Sequence, residues 1–482
     1  MHPIRPLFLL AGALLLNAAL AQDLSVPNWL TMEQPHNVSK VDYISRFGPF
    51  EHDGLVYLFE DVHHPMIGKE EGRFGYRFDP DVAQHALAKD LSLNIEEGKG
   101  RMVAVLEASD RFISVYYTMP DKNTVRIWAQ AIAPVDLTPL GEAVQVAEIP
   151  FTDHYNTGFK PDVVLSPDHS RFLVFYDLVM DADRVPLMLC WVVNADLTVD
   201  WQATYKRPNY MSNMALTWSR KVLLDDSGTI WLPMRTMKES VKTYTSSTDP
   251  VKITEPKLAR LHGERYDLID LVVDGKTLEF PTSAVVGEGL EVAGAINTGT
   301  EKKPNYGYGL FKVTDTNTLD PVYREPITGE GLTQVGALHK EAGGWYGMYR
   351  TDAGLTVFDL NAQGTKEWTT SLPRYKDYWT RVFEWKGDLF LTNCAQESAI
   401  NGYDKGKDFS SRDNAFQLIP SYLRIHGKDK HSLGAIYPAA SGGERDVLNH
   451  GSPAFEEVPS CGWFMEPSRD SKRPGVVVVK IN

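Results

Sequence analysis

Residues Lys221–Pro233, KVLLDDSGTIWLP, read as a strand, a tight turn and a second strand. Val222, Leu223 and Leu224 form one apolar run, and Ile230, Trp231 and Leu232 form the other. Between them Asp225-Asp226-Ser227-Gly228 is turn chemistry, since Asp and Ser bond their own backbone and Gly reaches left-handed angles. One hairpin fits any β fold. The fold is decided by whether the hairpin belongs to a repeat.

A second kind of hairpin recurs. VVNADLTVDW (Val192–Trp201) and DLNAQGTKEW (Asp359–Trp368) share Asn-Ala, then Thr, then an acid followed by Trp. KVTDTNTLDP (Lys312–Pro321) keeps Thr318 and Asp320 in register, and VVDGKTLEF (Val272–Phe280) keeps Thr277, Glu279 and Phe280 with a shorter turn. AIAPVDLTPL (Ala131–Leu140) is a weaker echo. In each, an apolar strand runs out, a polar turn reverses it, and a Thr-bearing strand returns. Strand pairs such as the opening stretch stand between the copies. The unit is therefore two inner strands, a connection and an outer hairpin, four antiparallel strands in about 40 to 60 residues, which is a propeller blade.

Units near 43–95, 99–150, 158–207, 215–283, 287–327, 332–373 and 379–438 give seven blades, with six or eight as the alternatives. The tail strand Gly475–Ile481 is expected to complete the first blade and close the ring, because an open ring leaves an exposed edge. Helical patterns are scarce, and residues 82–93, VAQHALAKDLSL, are the best helix candidate. The expected organisation is a leader over 1–21, a lead segment over 22–42 and a β-propeller over 43–482. Within the propeller, an insertion is read near 238–255 and an irregular segment near 439–473.

Three short stretches resemble propeller repeats of different families. LLDDSGTIW resembles the repeat of two-component-sensor ectodomains, LSPDHSRFLVF the turn of translocation-type and peptidase propellers, and DLNAQGTKEW the outer hairpin of pyrroloquinoline-quinone-type repeats. Together they imply the architecture and no one family. The quinone enzymes use an adjacent Cys pair, which this chain lacks, so that cofactor is not carried over. The sialidase aspartate box is met only in part, by Asp226, Gly228 and Trp231.

Composition bounds the rest. The chain has 482 residues, 43% hydrophobic and 23% charged, too apolar for disorder. Arg5, an apolar run from Leu7 to Leu16 and Ala19-Leu20-Ala21 have the order of a secretory signal peptide, with cleavage before Gln22. The expected location is periplasmic or secreted. The formal charge of −14 disfavours nucleic acid and anionic membranes as partners. Cys190, Cys394 and Cys461 allow one disulfide and form no zinc spacing; Cys190, in an apolar run, reads as a buried strand residue.

No nucleotide loop, HExxH, nucleophile elbow or EF-hand is present, and no cofactor or metal is expected. His63 and His64, near Glu60, Asp61 and His52, read as loop histidines rather than ligands, because neighbours on a strand point to opposite faces. His262 and His426 share an Arg-x-His-Gly setting and read as structural. The loops that lead into successive blades repeat aromatic, Asn and Asp residues. Tyr155, Asn156, Tyr210, Asn213, Tyr375 and Tyr378 are the candidate ligand-binding residues, because such loops converge on one axial face. The expected function is a binding or scaffold protein for a carbohydrate, peptide or protein partner. The alternative is an extracellular glycan-active hydrolase or lyase with acids drawn from different blades. Intact-mass measurement of the exported protein should show a chain beginning at Gln22; retention of residues 1–21 contradicts the leader.

Overall fold

The structure is a computed structural model. It describes residues 24, 28–31, 43–63, 72–81, 86–91, 100–121, 123–150, 161–180, 186–206, 222–237, 253–300, 302–403, 405–410, 418–428, 430–436, 456–458, 462–467 and 475–482. Its strands form eight antiparallel sheets, seven of four strands and one of five. Seven follow the chain in order, over 43–90, 101–150, 162–206, 223–270, 272–326, 334–372 and 381–435. The eighth joins the two ends: Glu456–Val458, Trp463–Pro467 and Gly475–Lys480 in sequence, with Asn28–Thr31 as the last strand.

The chain is a β-propeller. The leading strands of consecutive sheets from the first to the seventh, with Lys276–Val286 in place of the two-residue Val272–Val273 in the fifth, touch one another, which places them innermost around a common axis. The leading strand of the first sheet, Tyr43–His52, touches Glu456–Val458 and Trp463–Pro467 of the eighth, so the ring is closed. Among the described residues, each junction between neighbouring sheets holds a buried apolar cluster. Stacking explains the sequence pattern. Trp345–Thr351 and Gly354–Leu360, the middle strands of the sixth sheet, are buried at every position. They face a neighbour on both sides and therefore read as continuous apolar and aromatic runs. The outer strand Lys366–Leu372 is exposed at several positions.

The seven units read from sequence correspond to the seven continuous sheets, with the boundary between the fourth and fifth misplaced, and the total is eight, one of the two alternatives to seven. Several expectations are corrected. The tail does not complete the first sheet, which has four strands of its own; Gly475–Lys480 pairs with Asn28–Thr31, bringing Leu30 opposite Val476. The lead segment thus contributes a blade strand, and the segment read as irregular contains two more, Glu456–Val458 and Trp463–Pro467. Val272–Phe280 is not an outer hairpin of the fourth sheet. It opens the fifth, while the fourth turns at Gly263 between Ile253–His262 and Arg265–Asp270. The helix expected at 82–93 contains a strand, Ala86–Asp90, paired to Phe74–Phe78; position on a sheet edge outweighs helix propensity there. The short helix Glu397–Tyr403 lies in the seventh unit. Residues 238–252 of the expected insertion lie outside the described residues, as do the leader and Cys461.

Polar caps hold the turns. Asp225 is fully buried, and its Oδ1 accepts from the Ser227 and Thr229 amides at 3.0 and 2.8 Å. Its Oδ2 accepts from the Trp231 indole at 2.9 Å. The acid that holds the indole is therefore Asp225, not the Asp226 aligned with the aspartate box. Asp226 instead accepts from the Asp168 amide of the third sheet at 2.9 Å. Asn361 caps its own hairpin in the same manner, accepting from the Gln363 and Thr365 amides at 3.0 Å each. Replacing Asp225 by Ala strands two amides and a buried indole N–H. Chemical denaturation should show a loss of about 2 to 5 kcal/mol for Asp225→Ala. Asp226→Ala should cost about 1 kcal/mol, because one exposed hydrogen bond is lost.

Candidate functional site

The innermost strands of the fifth, sixth and seventh sheets are Lys276–Val286, Gln334–His339 and Arg381–Trp385. Between them lies an open cavity of about 480 Å³, lined by residues 280–282, 333–337 and 379–382. It sits where the sixth and seventh inner strands begin, at the end of the ring reached by the loops that lead into those sheets.

The fifth sheet contributes a bulge. Its register to the next strand breaks between Glu279 and Thr282, so Phe280 and Pro281 fall outside the ladder. Proline explains the break, since it has no N–H to donate. Phe280 adopts a left-handed backbone, φ 51°, and its side chain is 40% exposed. A bulky residue in that region is strained, and bulges commonly re-aim a side chain beside a site. Here the Phe280 ring packs edge-on to Tyr306, whose hydroxyl donates to Glu279 Oε2 at 2.9 Å.

The sixth sheet is clamped to the seventh through the pocket wall. Gln334 Nε2 donates to the Trp379 carbonyl at 2.9 Å, and the Trp379 amide donates to Gln334 Oε1 at 3.3 Å. Gly336 permits close approach: a Cβ there would meet Met348 Cγ at 3.1 Å and Trp379 Cζ2 at 3.2 Å. The Thr333 hydroxyl donates to the Arg350 carbonyl at 3.2 Å, and the Thr380 hydroxyl to the Thr392 carbonyl at 3.0 Å. Tyr308, wholly buried, donates to the Gly336 carbonyl at 3.0 Å. Arg381 is exposed and forms no ion pair among the described residues. Among the described residues, no carboxylate or imidazole lines the cavity.

Of the residues expected to bind ligand, Tyr155, Asn156, Tyr210 and Asn213 lie outside the described residues. Tyr375 is a packing residue: it is 1% exposed, stacks on Phe409 with centroids 5.1 Å apart, and burial raises its phenol pKa above the ordinary range. It offers no face to a ligand. Tyr378 is 45% exposed and stands directly before Trp379 of the wall. Its ring covers the guanidinium of buried Arg350 at 3.9 Å. Arg350 Nη1 donates to the Lys376 carbonyl at 2.5 Å, while its Nε and Nη2 have no hydrogen-bond partner. Phe280, Gln334, Trp379 and Arg381 were not singled out from sequence. The signals were there in Phe280-Pro281, a proline interrupting a strand run, and in Trp379 and Arg381, close behind Tyr378.

The other polar candidates are engaged elsewhere. Glu60 accepts from Arg46 at 2.8 Å and Tyr76 at 3.3 Å, Asp61 lies 3.4 Å from Arg73, and His52 lies 3.4 Å from Glu107. His64 lies outside the described residues, and no three His, Cys, Asp or Glu side chains converge among those described. His262 reaches the Thr229 hydroxyl at 3.4 Å and packs on Trp201. His426 lies 3.0 Å from Asp388, which also accepts from Arg424 at 2.8 Å. His426 ties strand ends within its own sheet, while His262 joins the fourth sheet to Trp201 of the third.

Ring and pocket together define an eight-sheet β-propeller with a cavity at one end of its channel. No family model and no curated protein matches the chain. Among solved structures it is similar to dipeptidyl peptidase 4 from Porphyromonas gingivalis, at TM-score 0.46 and 10% identity, over 87% of this chain and 56% of that one. It is similar to prolyl oligopeptidase B from Galerina marginata, at TM-score 0.40 and 10% identity, over 91% of this chain and 56% of that one. A third similarity is to the β-propeller domain of the trilobed protease from Pyrococcus furiosus, at TM-score 0.35 and 10% identity, over 82% and 96% of the two chains. The chain spans just over half the length of the first two.

The Tyr378–Arg350 contact gives a direct check on this wall. Tyr378→Ala should lower stability by about 0.5 to 2 kcal/mol in chemical denaturation, because the buried guanidinium loses its ring. Tyr378→Phe keeps the ring and should stay within about 0.5 kcal/mol of the parent.

Proposed function

We propose that the protein is an exported recognition propeller, a rigid ring that binds a peptide, protein or carbohydrate partner at the cavity between the fifth, sixth and seventh sheets. The observation that supports this reading is the cavity's lining. Among the described residues it offers aromatic and aliphatic surface, hydroxyls and one arginine, and no group able to serve as a general acid or base. A glycan hydrolase or lyase needs such groups within hydrogen-bond reach of the reacting atoms. A concave site that combines apolar surface with a few placed polar groups suits binding. Export is supported by the order of charge, apolar run and small residues over 1–21. Among the described residues no helix is long and apolar enough to cross a membrane.

The test is to incubate the full chain with panels of oligosaccharides and short peptides, measuring binding by calorimetry and turnover by chromatography. Binding without product release is expected. The variant Ala337→Phe, which fills the cavity, should bind at least tenfold more weakly while its circular dichroism is unchanged. Release of shortened oligosaccharide by the parent protein would replace this reading with the hydrolytic one.

A further inference from the structure

The polar groups of the cavity indicate which ligand it takes. Most side-chain donors and acceptors in the wall are already engaged within the protein. Gln334 uses both ends of its amide on Trp379, and Thr333 and Thr380 donate to backbone carbonyls. Trp379 is buried, so its ring has no free face for stacking. A neutral sugar is recognised by several placed amides, carboxylates and hydroxyls with an aromatic platform. That set is not free here.

Two resources remain open. One is the Arg381 guanidinium, exposed at the cavity and without an ion pair among the described residues. Guanidinium groups favour carboxylates, which they hold through paired charge-assisted hydrogen bonds. The other is backbone. Gln334–His339 and Arg381–Trp385 are terminal strands of their sheets, each paired on one side only. Their channel-side edges present N–H and C=O groups, apart from the Gly336 carbonyl, which accepts from Tyr308, and such edges are the grip used when an extended peptide adds to a sheet. Phe280, strained and exposed across the cavity, supplies an apolar contact.

Building on the reading of this cavity as the recognition site, the geometry points to a carboxylate-bearing peptide as its ligand. The peptide lies extended along the inner strand edges with its carboxylate on Arg381 and an apolar side chain against Phe280. The carboxylate is supplied by a peptide C-terminus or an acidic side chain.

Fluorescence anisotropy on the full chain tests this with labelled random hexapeptides in three pools. The first has free C-terminal carboxylates and no Asp or Glu, the second is amidated and contains Asp and Glu, and the third is amidated and acid-free. Oligogalacturonate serves as a carboxylate-bearing glycan. The first or second pool should bind at least tenfold more tightly than the third, and which of the two binds identifies the source of the carboxylate. Arg381→Gln should abolish that preference, a loss of tenfold or more, while Arg381→Lys retains part of it. Equal binding of all pools, or a preference unchanged in Arg381→Gln, overturns the carboxylate assignment and leaves the recognition reading standing. Binding of oligogalacturonate in place of every peptide pool overturns the peptide assignment alone, as does a folded protein that binds no probe. Turnover of any probe, or binding undiminished in Ala337→Phe, removes the recognition reading itself.

Discussion

Every sheet of this ring needs a neighbour on both faces. The middle strands carry apolar side chains on both sides, so an unstacked sheet would present one of those faces to water. Closure satisfies all eight sheets at once: Tyr43–His52 touches two strands of the eighth sheet, and Asn28–Thr31 completes that sheet by pairing with Gly475–Lys480. Leu30 enters the cluster that joins the eighth sheet to the first, beside Val56, Tyr76, Met465 and Val476. The contact is small beside what depends on it. The pocket walls are the inner strands of three sheets, and their spacing is set by a ring that cannot open on either side.

Much of the architecture was legible because blade chemistry is local. A hairpin capped by Asn361 or Asp225 bonds amides only a few residues away, so the signal sits inside a short window. Double-faced burial leaves continuous apolar runs that mark the middle strands directly. Closure was harder to read, because Leu30 and Val476 are partners that no local pattern connects. The fifth sheet was misdivided for a related reason. Val272–Val273 and Lys276–Thr277 form a hairpin that resembles an outer pair, yet it opens a new sheet. The strand at Ala86–Asp90 shows the opposite limit: Ala, Leu and Lys favour a helix, and pairing with the neighbouring strand decides otherwise.

The residues that line the cavity were not legible in the sequence. Reading the lead-in loops as the ligand face brought Tyr378 to attention, and it stands directly before Trp379 of the wall. Tyr375 illustrates why composition misleads there. An aromatic in a loop reads the same whether it faces the channel or a helix-side cluster, and this one stacks on Phe409. Phe280, Gln334 and Arg381 belong to three separate sheets, so only the ring brings them around one cavity. Gln334 in particular looks like an ordinary polar strand residue until its two bonds to Trp379 are seen.

The closing strand also sets an order of assembly. Asn28–Thr31 leaves the ribosome long before its partner, Gly475–Lys480, is made. Seven sheets can form from consecutive stretches of chain as each is completed, since their pairings are between sequence neighbours. The eighth cannot. Until Gly475–Lys480 is made, Asn28–Thr31 has no partner, and the flanks of the first and seventh sheets lack the cover of the eighth. A chain in that interval carries two uncovered apolar flanks, the kind of surface through which incompletely folded chains associate, and the finished ring carries neither.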